Sequence, residues 1–265
     1  MSVVYYPRVW SIDFHVHTSF SKDCGTPPAR VIELAKRKQL NGIAVTDHET
    51  EEGGLATLEA NHDRDFLVIP GAEIKTDLGD LIGLFLSHPI KSRKFDVVLE
   101  EIAEQGGVSI VPHPLRTFQS VEHFISIRQR FPVVDAWEIM NGRYDSRLLS
   151  KSLEVFQRLS IANASSGSDA HMPWELGRCR TAMFGRPATA NEFRRLIQNA
   201  FSTAASPNDL SVACGVHAAG LIRDAKTRKY GALINQILSL PHRAARKATR
   251  CLFKPQPGKE SSFRA

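Results

Sequence analysis

The chain has 265 residues, a net charge of +6 and 42% hydrophobic residues, the balance of a globular protein with one large core and room for an appendage. No run of 18 or more apolar residues occurs, which excludes a transmembrane helix, and residues 1–10 lack the basic-then-apolar order of a secretory leader. The four cysteines, Cys24, Cys179, Cys214 and Cys251, show no paired spacing, so reduced thiols in a cytoplasmic protein are expected.

Residues 11–17 read as a short strand running into His15-Val16-His17, with Asp23 a few positions on. In an extended chain i and i+2 share a face, so both imidazoles can aim at one point past the strand end. Apolar spacing predicts a helix over residues 29–39, opened by Pro27-Pro28 and closed by Asn41-Gly42. A strand over 43–46 ends in Asp47-His48, and a second helix covers 53–61. Residues 66–69 form a third apolar run, closed by Pro70-Gly71 with Glu73 just beyond. Residues 81–86 form another, so that Glu73 and Asp80 flank a hairpin. A helix over 95–105 stops at Gly106-Gly107, and a strand over 108–111 ends at Pro112-His113-Pro114. Then come a helix over 121–130, a strand over 133–140 that contains Glu138, a helix over 144–159 and a strand over 161–164. Ser168-Asp169-Ala170-His171 follows, and a helix over 191–201 ends the body.

Apolar runs alternating with amphipathic helices predict an α/β chain of βαβ units closing into a parallel sheet or barrel. In such folds chemistry collects at the C-terminal ends of strands. His15, His17, His48, Glu73, His113, Glu138, Asp169 and His171 all fall there, whereas satisfied core histidines would have no reason to prefer one end. Beyond a linker at 204–208 the character changes. Residues 211–265 hold 11 Lys/Arg against 2 Asp/Glu, leaving 23 against 26 in the rest. The expected division is a domain over 1–207 and a basic helical extension over 208–265, frayed from Pro255.

His15-x-His17, Thr46-Asp47-His48, Gly71-Ala72-Glu73, Pro112-His113-Pro114 and Ser168-Asp169-Ala170-His171 resemble, in this order, the motifs of the PHP (polymerase and histidinol phosphatase) superfamily. The resemblance covers roughly residues 10–200. Gly79 to Leu86 and Gln105 to Pro114 are similar to stand-alone phosphoesterases of the TrpH group. The resemblance implies a distorted (β/α)7 barrel with two or three divalent ions at its rim. It implies that His15, His17 and Asp169 hold one ion, with Glu73 bridging to a second that His113 also binds. Asp23, His48 and His171 would hold a third. Asp80 stands where the family usually has a histidine for the second ion. A carboxylate there makes the site harder and favours manganese or iron, with zinc still open. His88 is a rival for that position and reads as a surface histidine.

Such ions lower the pKa of a bound water and clamp phosphate oxygens. The expected reaction is in-line attack of a metal-bound hydroxide on a phosphate ester, with Glu73 setting the metal spacing and no Ser or Cys nucleophile. Asp47 either orients a ligand or caps the next helix. Arg116, Arg143 and Arg178 follow three rim motifs and suit phosphate, while Glu138 and Asn141 read as pocket residues. Trp137 and Trp174 read as packing. The expected substrate is a small phosphorylated metabolite or a nucleotide. The alternatives are an RNA-processing phosphodiesterase with RNA or DNA held by the basic tail, a histidinol-phosphate phosphatase, and a metal-binding regulatory module without activity.

Overall fold

The computed structural model describes residues 8–118, 120–205 and 211–214. The first half of the chain builds β1 (Val9–Val16), α1 (Pro28–Arg37), β2 (Gly42–His48), α2 (Glu52–Glu59), β3 (Leu67–Thr76), β4 (Gly79–Leu84), α3 (Phe95–Glu104) and β5 (Val108–Val111). The second half adds α4 (Pro114–Thr117), α5 (Val121–Arg130), β6 (Ala136–Asn141), α6 (Ser146–Arg158), β7 (Ala164–Gly167), β8 (Cys179–Phe184), α7 (Ala190–Ile197), β9 (Phe201–Ala205) and β10 (Ser211–Cys214). The described strands join one sheet in the order β10-β9-β8-β1-β2-β3-β4-β5-β6-β7. The β1–β2–β3 and β5–β6–β7 runs are parallel, and β4 sits antiparallel between them.

The sheet curls into a nearly closed, distorted α/β barrel. The outer edge of β1 is divided between two partners. Antiparallel β8 takes Val9 to Ile12. The chain after β7 takes the upper end, where Asp169 N–H donates to His15 O (2.8 Å) and His17 N–H to Ala170 O (3.1 Å). That seam puts Asp169 beside the two histidines of β1.

Side chains agree with these elements. Ser120, Asp145 and Thr189 cap α5, α6 and α7 by accepting from the backbone N–H three residues on. Ile12, Phe14, Ala44, Ile69, Ile82, Ile110 and Ala136 fill the barrel, and α7 adds Phe193, Leu196 and Ile197 to the same cluster. Phe193 meets Phe14 edge-on at 5.2 Å. A register shift in β1 between Asp13 and Val16 lets Phe14 join this core while His15 and His17 still face the rim. Among the described residues Cys24 and Cys179 are buried free thiols. No described helix is long and apolar enough to cross a membrane.

Several boundaries differ from the sequence reading. β3 runs through Pro70-Gly71 to Thr76, so Glu73 lies within a strand, opposite His48 on β2 and Ile82 on β4. The last strand of the barrel is Ala164–Gly167, not 161–164, because Ile161 is spent on the outer core while small residues form the strand. The strand expected from 133 starts at Ala136, and the helix expected to 201 ends at Ile197. Residues 204–205, expected in a linker, finish β9, and β10 pairs with it beyond the 207/208 boundary. The remainder of the basic extension lies outside the described residues.

Candidate metal centre

Every strand from β1 to β7 except β5 and β7 carries a rim residue itself, and those two pass theirs to the turn that follows. His15 belongs to β1 and His17 directly follows it; His48, Glu73 and Asp80 belong to β2, β3 and β4. His113 follows β5, and Asp169 and His171 follow β7. Among the described residues four overlapping groups have potential ligand atoms within 4.8 Å of one another: His15, His17 and Glu73; His15, His113 and Asp169; Glu73, Asp80 and His113; His17, His48 and His171. Asp23 joins the last group, its Oδ2 3.3 Å from His171 Nε2 and 3.7 Å from His48 Nε2. Glu73 is the hub. Its Oε1 lies 3.0 Å from His113 Nε2, and its Oε2 lies 3.3, 3.5 and 3.1 Å from His15 Nε2, His17 Nε2 and His48 Nδ1. Asp169 Oδ1 lies 3.7 and 3.5 Å from His15 and His17 Nε2. His88 is exposed and bonds to Ser87 and Gln105, away from the cluster.

The outer nitrogens of the rings are held by the protein. His15 Nδ1 faces Glu138 Oε1 (3.3 Å), His113 Nδ1 faces Thr117 Oγ1 (2.9 Å), and His171 Nδ1 faces the carbonyl of Asp169 (3.0 Å). Ser21 Oγ donates to Asp47 Oδ1 at 2.6 Å, which leaves it to accept from His17 Nδ1 at 3.1 Å. Carboxylate, carbonyl and committed hydroxyl each occupy Nδ1, so Nε2 of His15, His17 and His171 is the nitrogen turned into the centre. The Nε2 atoms of His15 and His17 are buried and have no hydrogen-bond partner. Buried polar atoms without partners are rare. Two of them, converging with carboxylates, fit a metal that would accept both lone pairs.

Asp47 is therefore a positioning residue and not a helix cap, since Glu51 precedes α2. It accepts from Thr18 N–H (2.7 Å), Thr18 Oγ1 (2.6 Å) and Ser21 Oγ (2.6 Å), and thereby fixes the turn that orients His17. Asp47→Asn puts an amide donor against these donors. Metal affinity is expected to fall about 10–100-fold, read by competition against a chromogenic chelator. Unchanged affinity would mean that the Asp47–Ser21 relay does not set the His17 ring.

The charges are mutually dependent. Burial disfavours the charged form of His15, but Glu73, Asp169 and Glu138 outweigh it and raise its pKa well above normal. Burial likewise opposes ionised Glu73 and Asp169, yet His15 and neighbouring imidazoles hold both carboxyls far below the usual range. His17 is pushed down to about 4, by burial first, so its ring is neutral and ready to donate a lone pair. Asp80 is raised, by burial and then by Glu73. A carboxylate crowded in this way gains from a cation placed between it and Glu73.

Asp13, like Ser21 and Thr117, carried no signal in the sequence. Asp13 Oδ1 accepts from Ser168 N–H (2.8 Å) and Oδ2 from Gly177 N–H (2.9 Å), which pins the loop bearing Asp169 and His171. Burial raises its pKa to about 6. Glu138 and Asn141, three apart, would face opposite sides of a regular strand. A register shift in β6 between Glu138 and Met140 lets Asn141 Nδ2 reach both Glu138 Oε2 (2.9 Å) and Asp169 Oδ2 (3.3 Å). His113 and Asp169 sit in the left-handed region at φ 32° and 53°, a conformation that costs an L-residue about 1–2 kcal/mol and concentrates at functional sites. Of the three rim arginines, Arg116 Nη2 donates to Asp169 Oδ2 at 3.0 Å. Arg178 lies 4.0 Å from Glu175, and Arg143 is exposed on the turn after β6. Trp137 is buried as expected for packing, but Trp174 is 62% exposed and belongs to no core.

Comparison with known proteins agrees with this arrangement. The sequence matches the family described as PHP domain over residues 13–171, and the family described as PHP-associated over residues 150–200. It is 36% identical over 113 residues to the uncharacterized protein MJ1587 of Methanocaldococcus jannaschii, covering 38% of this chain and 66% of that protein. It is 34% identical over 173 residues to MJ0417 of the same organism, covering 63% and 67%. The chain thus spans about two thirds of the length of these relatives. Among solved structures, a candidate metal-dependent phosphoesterase from Bifidobacterium adolescentis aligns with TM-score 0.50 at 16% identity, over 63% of this chain and 90% of that one. An amidohydrolase from Chromobacterium violaceum with bound sulfate aligns with TM-score 0.52 at 16% identity, over 70% and 96%. The lesion-specific endonuclease PfuEndoQ from Pyrococcus furiosus aligns with TM-score 0.55 at 19% identity, over 72% and 56%. At these identities the three structures speak for the fold.

Proposed function

Because the chain belongs to the PHP domain family, we propose that its rim cluster makes it a metal-dependent phosphoesterase acting on a small phosphorylated metabolite or a nucleotide. The observation that carries this is the pair of buried, unpartnered Nε2 atoms of His15 and His17 facing Glu73 and Asp169. In this reading His15, His17 and Asp169 would hold one ion, and Asp80 and His113 a second, with Glu73 facing both sets. Asp23, His48 and His171 would hold a third. The many oxygen ligands favour manganese or iron over zinc. Bound ions supply an activated water near neutral pH and charge stabilisation on the phosphate oxygens.

The chain's own residues do the positioning. Glu73 spans two sites with its two oxygens. Glu138, Ser21 and Thr117 keep the imidazoles turned inward. Arg116 spends one nitrogen on Asp169 and is 40% exposed, so its remaining donors can meet a substrate oxygen, with Arg143 and Arg178 further out on the rim. The open side lies at Asp23 and His48, whose side chains are 58% and 42% exposed. The stretches Gly79 to Leu86 and Gln105 to Pro114 support a reading close to the TrpH group of stand-alone phosphoesterases.

The test is direct. The protein is purified, its metal content measured, and the manganese-loaded form assayed on an aryl phosphate, a nucleoside 3′,5′-bisphosphate, short RNA and histidinol phosphate. Release of phosphate from a small ester, abolished by chelation and by His17→Ala, is expected. A loaded protein inert on the whole panel, with His17→Ala retaining full metal content, would end the proposal.

A further inference from the structure

Lys75 stands two residues beyond Glu73 on β3, so the two side chains share a face of the sheet. Asp80 lies opposite Lys75 in the antiparallel register, and His48 lies opposite Glu73 on the other side. With Glu49 these residues line a cavity of about 350 Å³ beside the Glu73–Asp80–His113 group. Lys75 is the one permanently cationic side chain of that lining.

Of the three carboxylates around it, Asp80 faces it across the strand pair, and the other two are engaged elsewhere. Glu49 accepts from the backbone N–H of Lys75 at 2.8 Å and pairs with Arg93. Glu73 is turned towards four imidazoles. Among the described residues the Lys75 ammonium has no hydrogen bond or ion pair. The arginines expected to meet phosphate do not line this cavity. An exposed lysine on a flexible stem serves a phosphate as a point charge with three donors.

We infer that Lys75 binds a phosphoryl oxygen of the substrate in the cavity beside Glu73 and Asp80, acting as a substrate-binding residue of the phosphoesterase site. The assignment rests on the reading under Proposed function for its catalytic meaning, and on the cavity alone for anion binding. Sequence patterning carried no sign of it, because the apolar run was expected to close at Pro70-Gly71, before Lys75.

The probe is inorganic phosphate, titrated calorimetrically into the manganese-loaded full chain. Lys75→Met is expected to weaken phosphate binding about 10-fold or more, the scale of one lost hydrogen bond to a charged group. Metal content should stay at the wild-type value, and Lys75→Arg should recover most of the affinity. On an ester substrate the loss should appear mainly in KM. Phosphate affinity in Lys75→Met equal to wild type, or a loaded wild type that binds no phosphate, would overturn the assignment. Wild type that binds phosphate through Lys75 but cleaves no ester would instead overturn the phosphoesterase reading and leave the anion site standing.

Discussion

Glu73→Gln is expected to lose at least one bound ion per chain and to lower kcat/KM by about 10²–10⁴-fold, the equivalent of the ~3–5 kcal/mol that removing one partner from a buried charge group costs. The side chain is 4% exposed and its two oxygens face His15, His17, His48 and His113. Glutamine keeps the shape but replaces one acceptor oxygen by a donor and removes the charge. An amide nitrogen has no lone pair for a metal. It would also sit against imidazoles whose lone pairs are needed elsewhere. The fold should survive, since β3 keeps its pairing with β2 and β4 on either side. Metal analysis after dialysis, together with turnover at saturating manganese, checks both parts. Full stoichiometry with activity within tenfold of wild type would remove Glu73 from the bridge.

The clustering of the rim residues was legible in the sequence because each is announced by local chemistry. His15-Val16-His17 ends a strand, Asp47-His48 ends another, and Pro112-His113-Pro114 and Asp169-Ala170-His171 follow two more. What was not legible depends on contacts far apart in the chain. Asp13 reaches Ser168 and Gly177 across the barrel seam, and Asp47 reaches back to Thr18 and Ser21. No window around Asp13 contains Ser168 or Gly177, and none around Ser21 contains Asp47. Glu138 and Asn141 come together only through a register shift that leaves no mark in composition. Trp174 illustrates the opposite error. A tryptophan near an apolar stretch reads as core, yet it sits on a turn with no hydrophobic neighbour cluster to receive it.

The strand that closes the barrel was misplaced for a related reason, and the reason makes a prediction. β7 is Ala164-Ser165-Ser166-Gly167, with little apolar signal, because its end must pass close to β1. A Cβ on Gly167 would lie 2.3 Å from His15 Cβ, 2.7 Å from His15 N and 2.8 Å from Glu138 Oε1. Two of those three atoms cannot swing away by a rotamer change. Gly167→Ala must therefore push β7 from β1 or displace His15 together with the carboxylate that holds its ring. Overpacking of this kind costs about 3 kcal/mol or more, which in a chain of this size lowers Tm by roughly 6–12 °C. The seam hydrogen bonds from Asp169 to His15 and from His17 to Ala170 would lengthen with it, so metal affinity should fall in parallel. Gly25→Ala is the control, because a Cβ there meets nothing within 4 Å. Its Tm should match wild type. Calorimetric melting of the metal-free and manganese-loaded proteins separates the two effects. The metal-free melts report the seam, and the increment on loading reports the ligands. Gly167→Ala melting like Gly25→Ala, with its metal increment intact, would show that β7 and β1 have room to spare and that small residues in β7 have some other cause.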